Sequence, residues 1–143
     1  MSQSTGGVKA LLSTDIVDFS RLLESHEMRA LDELDYYSGL LKRLSREYHG
    51  EILSNTGDTF LVAFDDADNA VACAVKVQEG MRARAGQVDA LPMQLRVALH
   101  YGEIAEREGN YYGDTLATVL ELRGVTEPGG ISATGAVAEV AEL

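Results

Sequence analysis

Two aspartates in this chain stand where a side chain can do chemistry rather than pack. Asp15 lies in Ser13-Thr14-Asp15-Ile16-Val17-Asp18-Phe19-Ser20, just after the apolar run over residues 8–12. That run reads as a buried strand, so Asp15 falls where the strand gives way to a helix. Asp58 lies in Asn55-Thr56-Gly57-Asp58-Thr59, a tight turn between two short apolar runs. A carboxylate at a ligand-facing strand end suits a hard divalent cation, which takes oxygen donors. The everyday alternative is a helix-capping Asp and a turn Asp, both common. Two carboxylates held close with no cation would repel and raise one pKa. The expectation is that Asp15 and Asp58 meet in space.

The elements that must position them follow from periodicity. Residues 19–24 start a short helix that Asp18 or Ser20 can cap. A long helix follows over 26–48, with Leu31, Leu34, Leu41, Leu44 and Tyr48 as its apolar stripe and His49-Gly50 as its stop. Residues 51–55 and 59–64 read as a β-hairpin around Thr56-Gly57-Asp58. Asp65 and Asp66 offer an N-cap for a helix over 67–85, whose small apolar residues, Cys73 among them, suit packing on a sheet. Residues 93–100 read as a strand that Gly102 breaks, with 103–106 returning beside it. Tyr111-Tyr112-Gly113-Asp114 leads into a helix ending near Arg123, and a turn at Glu127-Pro128-Gly129-Gly130, a strand over 131–133 and a helix over 136–142 complete the chain. His100 reads as structural and Arg96 as the partner of a carboxylate or a phosphate. The order β-α-α-β-β-α-β-β-α-β-α gives an α+β, ferredoxin-like sandwich, a mainly antiparallel sheet with helices on one face.

Composition narrows the function classes. At 143 residues, 45% hydrophobic, the chain reads as one domain, with residues 1–7 as a flexible leader and 8–143 as the folded unit. A formal net charge of -11 argues against a nucleic-acid groove, which needs clustered Lys and Arg, and against any polyanion unless metal ions intervene. No apolar run reaches the roughly 20 residues of a membrane span. With Cys73 as the single cysteine, an intrachain disulfide is ruled out and a reducing cytoplasm is the expected compartment.

Five segments then occur in a telling order: Asp15-Ile16-Val17-Asp18-Phe19-Ser20-Arg21-Leu22, Asn55-Thr56-Gly57-Asp58, Leu95-Arg96-Val97-Ala98-Leu99-His100-Tyr101-Gly102-Glu103, Tyr111-Tyr112-Gly113-Asp114 and Glu127-Pro128-Gly129-Gly130-Ile131. Each alone is weak; together, with near-family spacing, they resemble the class III adenylate/guanylate (nucleotidyl) cyclase catalytic domain over about residues 8–140. Diguanylate cyclases have a turn similar to the one at Asp58, but the downstream segments do not fit them. The resemblance implies head-to-tail dimers with active sites in the interface, and two divalent ions, Mg2+ or Mn2+, at the triphosphate of ATP or GTP. It implies Asp15 and Asp58 as metal ligands with the Ile16 carbonyl as a further one. It also implies a phosphate cradle from the amides of Phe19 and Ser20, and Arg96 on phosphate oxygens.

The complementary half departs from the family. Its purine-selecting lysine corresponds to Ser54 and its acidic partner to Asn110. The transition-state asparagine corresponds to Ala117 and the transition-state arginine to Glu121, which puts an anion where a cation is needed. Asp18 stands at a family glycine, and the family's last strands, with their triphosphate-binding lysine, have no counterpart in these residues. The resemblance therefore implies a degenerate member, in which a homodimer would lack the same groups at both sites. Three readings stay open: a dimerising regulatory module, weak or inactive; the metal-donating half of a heterodimer with an intact cyclase domain; or a slow cyclase using altered chemistry.

Overall fold

Alternation along the first strand sets the two sides of the sheet. In the computed structural model, which describes residues 5–87 and 89–141, β1 runs Thr5–Ile16. Ala10, Leu12 and Ile16 enter one core and Leu11 enters the other, as side chains two apart share a face. The strand starts earlier than the sequence suggests. Residues 1–4 of the expected leader lie outside the described residues, but residues 5–7 are strand, paired with Ile104, Ala105 and Glu106.

After β1 come α1 (Phe19–Ser25), α2 (Glu27–Glu47), β2 (Glu51–Thr56), β3 (Thr59–Phe64), α3 (Ala67–Ala85), β4 (Leu95–Arg107), β5 (Asn110–Tyr112), α4 (Asp114–Gly124), β6 (Ile131–Ala133) and α5 (Gly135–Val140). The sheet order is β2-β3-β1-β4-β5, antiparallel throughout, with β6 added parallel to β4. This is the expected α+β sandwich with a mainly antiparallel sheet. The larger core joins one sheet face to α2 and α3. One helix departs from the expected layering: α4 lies on the opposite face, where Val119 is buried with Leu11, Leu61, Ala98 and Ile104. Among the described residues no helix is long and apolar enough to cross a membrane.

The buried stripe of α2 is rotated from the one periodicity suggests. Tyr37, Leu41 and Leu44 are buried and Leu34 and Tyr48 partly so, but Leu31 is 39% exposed. Ala30 takes the inward position, and one residue further on is about 100° round the helix. Glu33 is also buried on this face. It receives a bidentate fork from Arg84 of α3, with Nε–Oε2 and Nη2–Oε1 both 2.9 Å, tying the two long helices together. Asp66 caps α3 through the amide of Asp68, as expected. Cys73 is buried in the same layer, and burial pushes its thiol pKa up to about 12, which keeps it in the thiol form.

Two glycines act by close approach rather than as breakers. The left-handed residue ending α2 is His49 (φ 62°), not Gly50. A Cβ on Gly50 would meet the Phe64 ring at 2.6 Å, which is the reason for glycine there. Gly102 does not break its strand either; β4 continues through it to Arg107, and the returning strand is β5 after the turn at Glu108-Gly109. A Cβ on Gly102 would stand 2.5 Å from Oγ1 of Thr115 in α4, so glycine lets the helix settle on the sheet. Gly102→Ala is expected to lower unfolding free energy by about 1–3 kcal/mol, the usual range for overpacking. Urea denaturation in a Thr115→Ala background, which removes both close Thr115 atoms, should return most of that loss; an equal loss in both backgrounds would contradict this contact.

Candidate active site

The site forms where register and turn geometry carry two strand ends to one place. Asp15 lies directly opposite Arg96 in the β1–β4 ladder, so a cross-strand charge pair is built into the pairing. On the other side of β1, Thr14 pairs with Phe60, which brings the β2–β3 turn level with Ile16. Gly57 takes φ 58°, the conformation that a two-residue hairpin turn asks of its first central residue. Oδ2 of Asp58 then accepts the Ile16 amide at 3.0 Å.

Asp15, Ile16, Asp58, Phe19, Ser20 and Arg96 therefore line one cavity of about 520 Å³, together with Asp18, Arg21 and Glu24. Four carboxylates against two guanidinium groups make this lining net negative. Asp15 is 6% exposed and holds Arg96 in a fork, Nε–Oδ1 3.0 Å and Nη2–Oδ2 2.5 Å. A second guanidinium stands beside it: Nε of Arg123, from α4, is 3.4 Å from Oδ2, while its Nη1 donates to Oγ of Ser13 at 2.9 Å. The hydrogen bond to Asp15, then the charges of Asp15, Asp18 and Asp58, raise the pKa of Arg96 and keep it cationic.

Asp18 precedes α1 at φ 54°, and its side chain makes no capping bond. The left-handed backbone accounts for the family glycine at this position; Asp is among the few other residues that adopt it readily. Phe19 and Ser20 open α1, where the first amides of a helix are without intrahelical acceptors. His100 hydrogen-bonds through Nδ1 to Oγ1 of Thr134 at 2.7 Å, and burial lowers its pKa, in keeping with a structural role.

Ser54, Asn110, Ala117 and Glu121 are all exposed, and none lines this cavity. Ala117 and Glu121, four residues apart, share the outward face of α4. Arg123, about 200° round the helix from Glu121, turns inward to Asp15. Sequence reasoning missed Arg123 as a site residue because it entered only as the end of a helix. It also missed Tyr37, whose hydroxyl donates to the Asp58 carbonyl at 2.8 Å and pairs with Thr14 Oγ1. The spacing of Tyr37 with Leu41 and Leu44 was the available signal. Burial, the leading cause, raises the Tyr37 pKa, so this hydroxyl stays protonated.

Among the described residues no group of three or more His, Cys, Asp or Glu side chains is placed to hold a metal. The donor set offered by Asp15 and Asp58, both of which border the cavity, is two carboxylates, which are hard oxygen donors. It fits Mg2+ or Mn2+, which bind through one or two carboxylates and leave other positions to substrate phosphates and water. Replacing Asp15 by Asn would leave Arg96 and Arg123 half-buried without their shared anion. The loss should be about 2 kcal/mol in metal-free buffer, between the roughly 0.5 of a surface pair and the 3–5 of a buried one. Chemical denaturation of D15N checks this, and a change within error of zero would contradict it.

With this geometry in place, comparison with known proteins gives the family. The profile of the adenylate and guanylate cyclase catalytic domain matches residues 2–142. The chain is 30% identical over 132 residues to putative adenylate cyclase 3 of Rhizobium meliloti (strain 1021), covering 91% of this chain and 22% of that protein. It is 28% identical over 126 residues to an adenylate cyclase of Streptomyces griseus, covering 87% of this chain and 30% of the relative. It thus spans less than a third of either curated relative. Among solved structures, an adenylate/guanylate cyclase/hydrolase from Silicibacter pomeroyi superposes with a TM-score of 0.85 at 28% identity, over 96% of this chain and 81% of that one. The adenylyl cyclase CyaB from P. aeruginosa has the same fold, with a TM-score of 0.85 at 19% identity, over 96% of this chain and 82% of that one. The chain belongs to the adenylate and guanylate cyclase catalytic-domain family.

Proposed function

We propose that this domain keeps the ion- and phosphate-facing half of a nucleotidyl cyclase site, lacks the complementary half, and works as a dimerising regulatory module with weak or no turnover as a homodimer. The observation that carries this reading is the division of the residues. Asp15, Ile16, Asp58, Phe19, Ser20 and Arg96 border one cavity within a single chain. The positions for purine selection and transition-state charge, Ser54, Asn110, Ala117 and Glu121, are exposed on other surfaces and carry the wrong chemistry.

Preorganised donors aimed at developing charge are each worth about 3 kcal/mol, or roughly two to three orders of magnitude in rate. Ala117 has no donor, and Glu121 brings a negative charge to a reaction that gathers negative charge. Two identical chains would bring the same deficit to both sites. On the retained side, a divalent ion supplies neutralisation of the triphosphate when bound. The chain's own residues do the rest. Asp15 and Asp58 offer oxygens, the α1 amides face the phosphates, and Arg96 exchanges its carboxylate partner for a phosphate oxygen. Ser54 and Asn110 give no basis for choosing adenine over guanine, so the nucleotide is ATP or GTP. The cytoplasm supplies both the nucleotides and the reducing conditions that the single cysteine suits.

A second reading rests on the cavity being complete within one chain: paired with an intact cyclase domain, this domain serves as the metal-donating subunit. A cyclase assay with manganese and ATP or GTP tests both. It is run on this domain alone and mixed with an active cyclase domain whose own aspartate pair has been replaced. No product from the domain alone, with a dimer intact by sedimentation, supports the regulatory module. Product from the mixture only supports the heterodimer. Robust product from the domain alone overturns the proposal.

A further inference from the structure

A second cavity, of about 660 Å³, is bordered by the start of α1, the last turns of α3 and the segment leading into β4. It shares only Asp18 and Arg21 with the cavity at Asp15 and Asp58. Its size falls within the range of small-molecule sites, and Leu22, Met81 and Met93 give it an apolar interior.

Two features make it more than an apolar hollow. Gln78, 2% exposed, forms part of the wall, and its Nε2 donates to the carbonyls of Leu95 at 3.1 Å and Gly130 at 2.9 Å. Both amide hydrogens are thereby used and the side chain is held in one orientation. No donor among the described residues reaches its Oε1, which is left as a fixed acceptor for whatever occupies the cavity. Arg21 and Arg82, both exposed, border the cavity, and neither is in an ion pair among the described residues; Arg21 also borders the cavity at Asp15 and Asp58. In a chain of formal net charge -11, two unanswered arginines bordering one cavity are an anion-directed feature. With Asp18 as the one acidic residue in the lining, the balance is two positive charges against one negative. That net single positive charge matches a monocarboxylate better than a dianionic phosphate.

We propose that this cavity binds a small aromatic monocarboxylate whose ring carries a hydrogen-bond donor. The ring lies against Met81 and Met93, the donor meets Oε1 of Gln78, and the carboxylate meets Arg82 and Arg21. This site is independent of whether the domain turns over a nucleotide.

Indoleacetate is the probe, with tryptophol as its uncharged counterpart, and binding is read by NMR of methyl-labelled methionines. Met81 and Met93 line the cavity, whereas Met28 on α2 is 73% exposed, outside it, and reports on the fold. Indoleacetate should shift the Met81 and Met93 methyls saturably and leave Met28 in place. Tryptophol should bind at least about tenfold more weakly, and Arg82→Glu should weaken indoleacetate by a similar factor, the scale of one lost charge-assisted hydrogen bond. Arg82→Ala serves if the reversal of charge perturbs Met28. The absence of shifts at Met81 and Met93, equal affinity for the two probes, or unchanged affinity in both Arg82 variants would each overturn the proposal.

Discussion

A carboxylate that is 6% exposed must have its charge answered, and Asp15 is answered twice, by Arg96 across the ladder and by Arg123 from the helix on the same face of the sheet. The register of β1 against β4 fixes the first of these contacts, and the docking of α4 fixes the second. Slipping the strand by one residue would turn Asp15 to the face that holds Leu12 and Ile16, and the pair would be lost. The charged end of the sheet and the apolar packing beneath it are therefore specified by the same pairing. On the proposed reading the fork is also a contact that changes, because a cation at Asp15 would compete with the two guanidinium groups.

Asp58 is held by a different route. The hairpin that carries it is fixed from below by Tyr37, whose ring meets Phe60 edge-on at 5.5 Å and whose hydroxyl holds the Asp58 carbonyl. It is held from the side by the Ile16 amide. Its position thus depends on a helix residue 21 places earlier in the chain as much as on the turn itself. The two aspartates share a cavity because β1 supplies one and organises the other.

Much of this was legible in the sequence, for identifiable reasons. The order of elements followed from periodicity, and the hairpin from Gly57, since both are local signals. The convergence of Asp15 and Asp58 was expected from a carboxylate at a strand end and one in a hairpin turn, and the five spaced segments that match a family strengthened it. What escaped was set by tertiary approach. Gly50 and Gly102 read as stops, yet one gives room to Phe64 and the other to Thr115, neighbours that only the packed fold reveals. Leu31 fits a helical stripe as well as Ala30 does, and only docking chooses between them. Arg123 escaped because nothing local distinguishes an arginine near a helix end from one that turns inward to share a buried carboxylate. The capping role expected of Asp18 failed for a related reason, as its backbone is left-handed and its side chain is free of the α1 amides.

The proposed division of the site, one half kept in this chain and the other without its reactive groups, has one most direct test. Crystals grown with manganese and a non-hydrolysable purine triphosphate, examined by anomalous scattering, should show an ion between the carboxylates of Asp15 and Asp58, with Arg96 released from Asp15. Crystals of the same composition that show no ion in this cavity, with Asp15 still held by Arg96 and Arg123, would contradict the account.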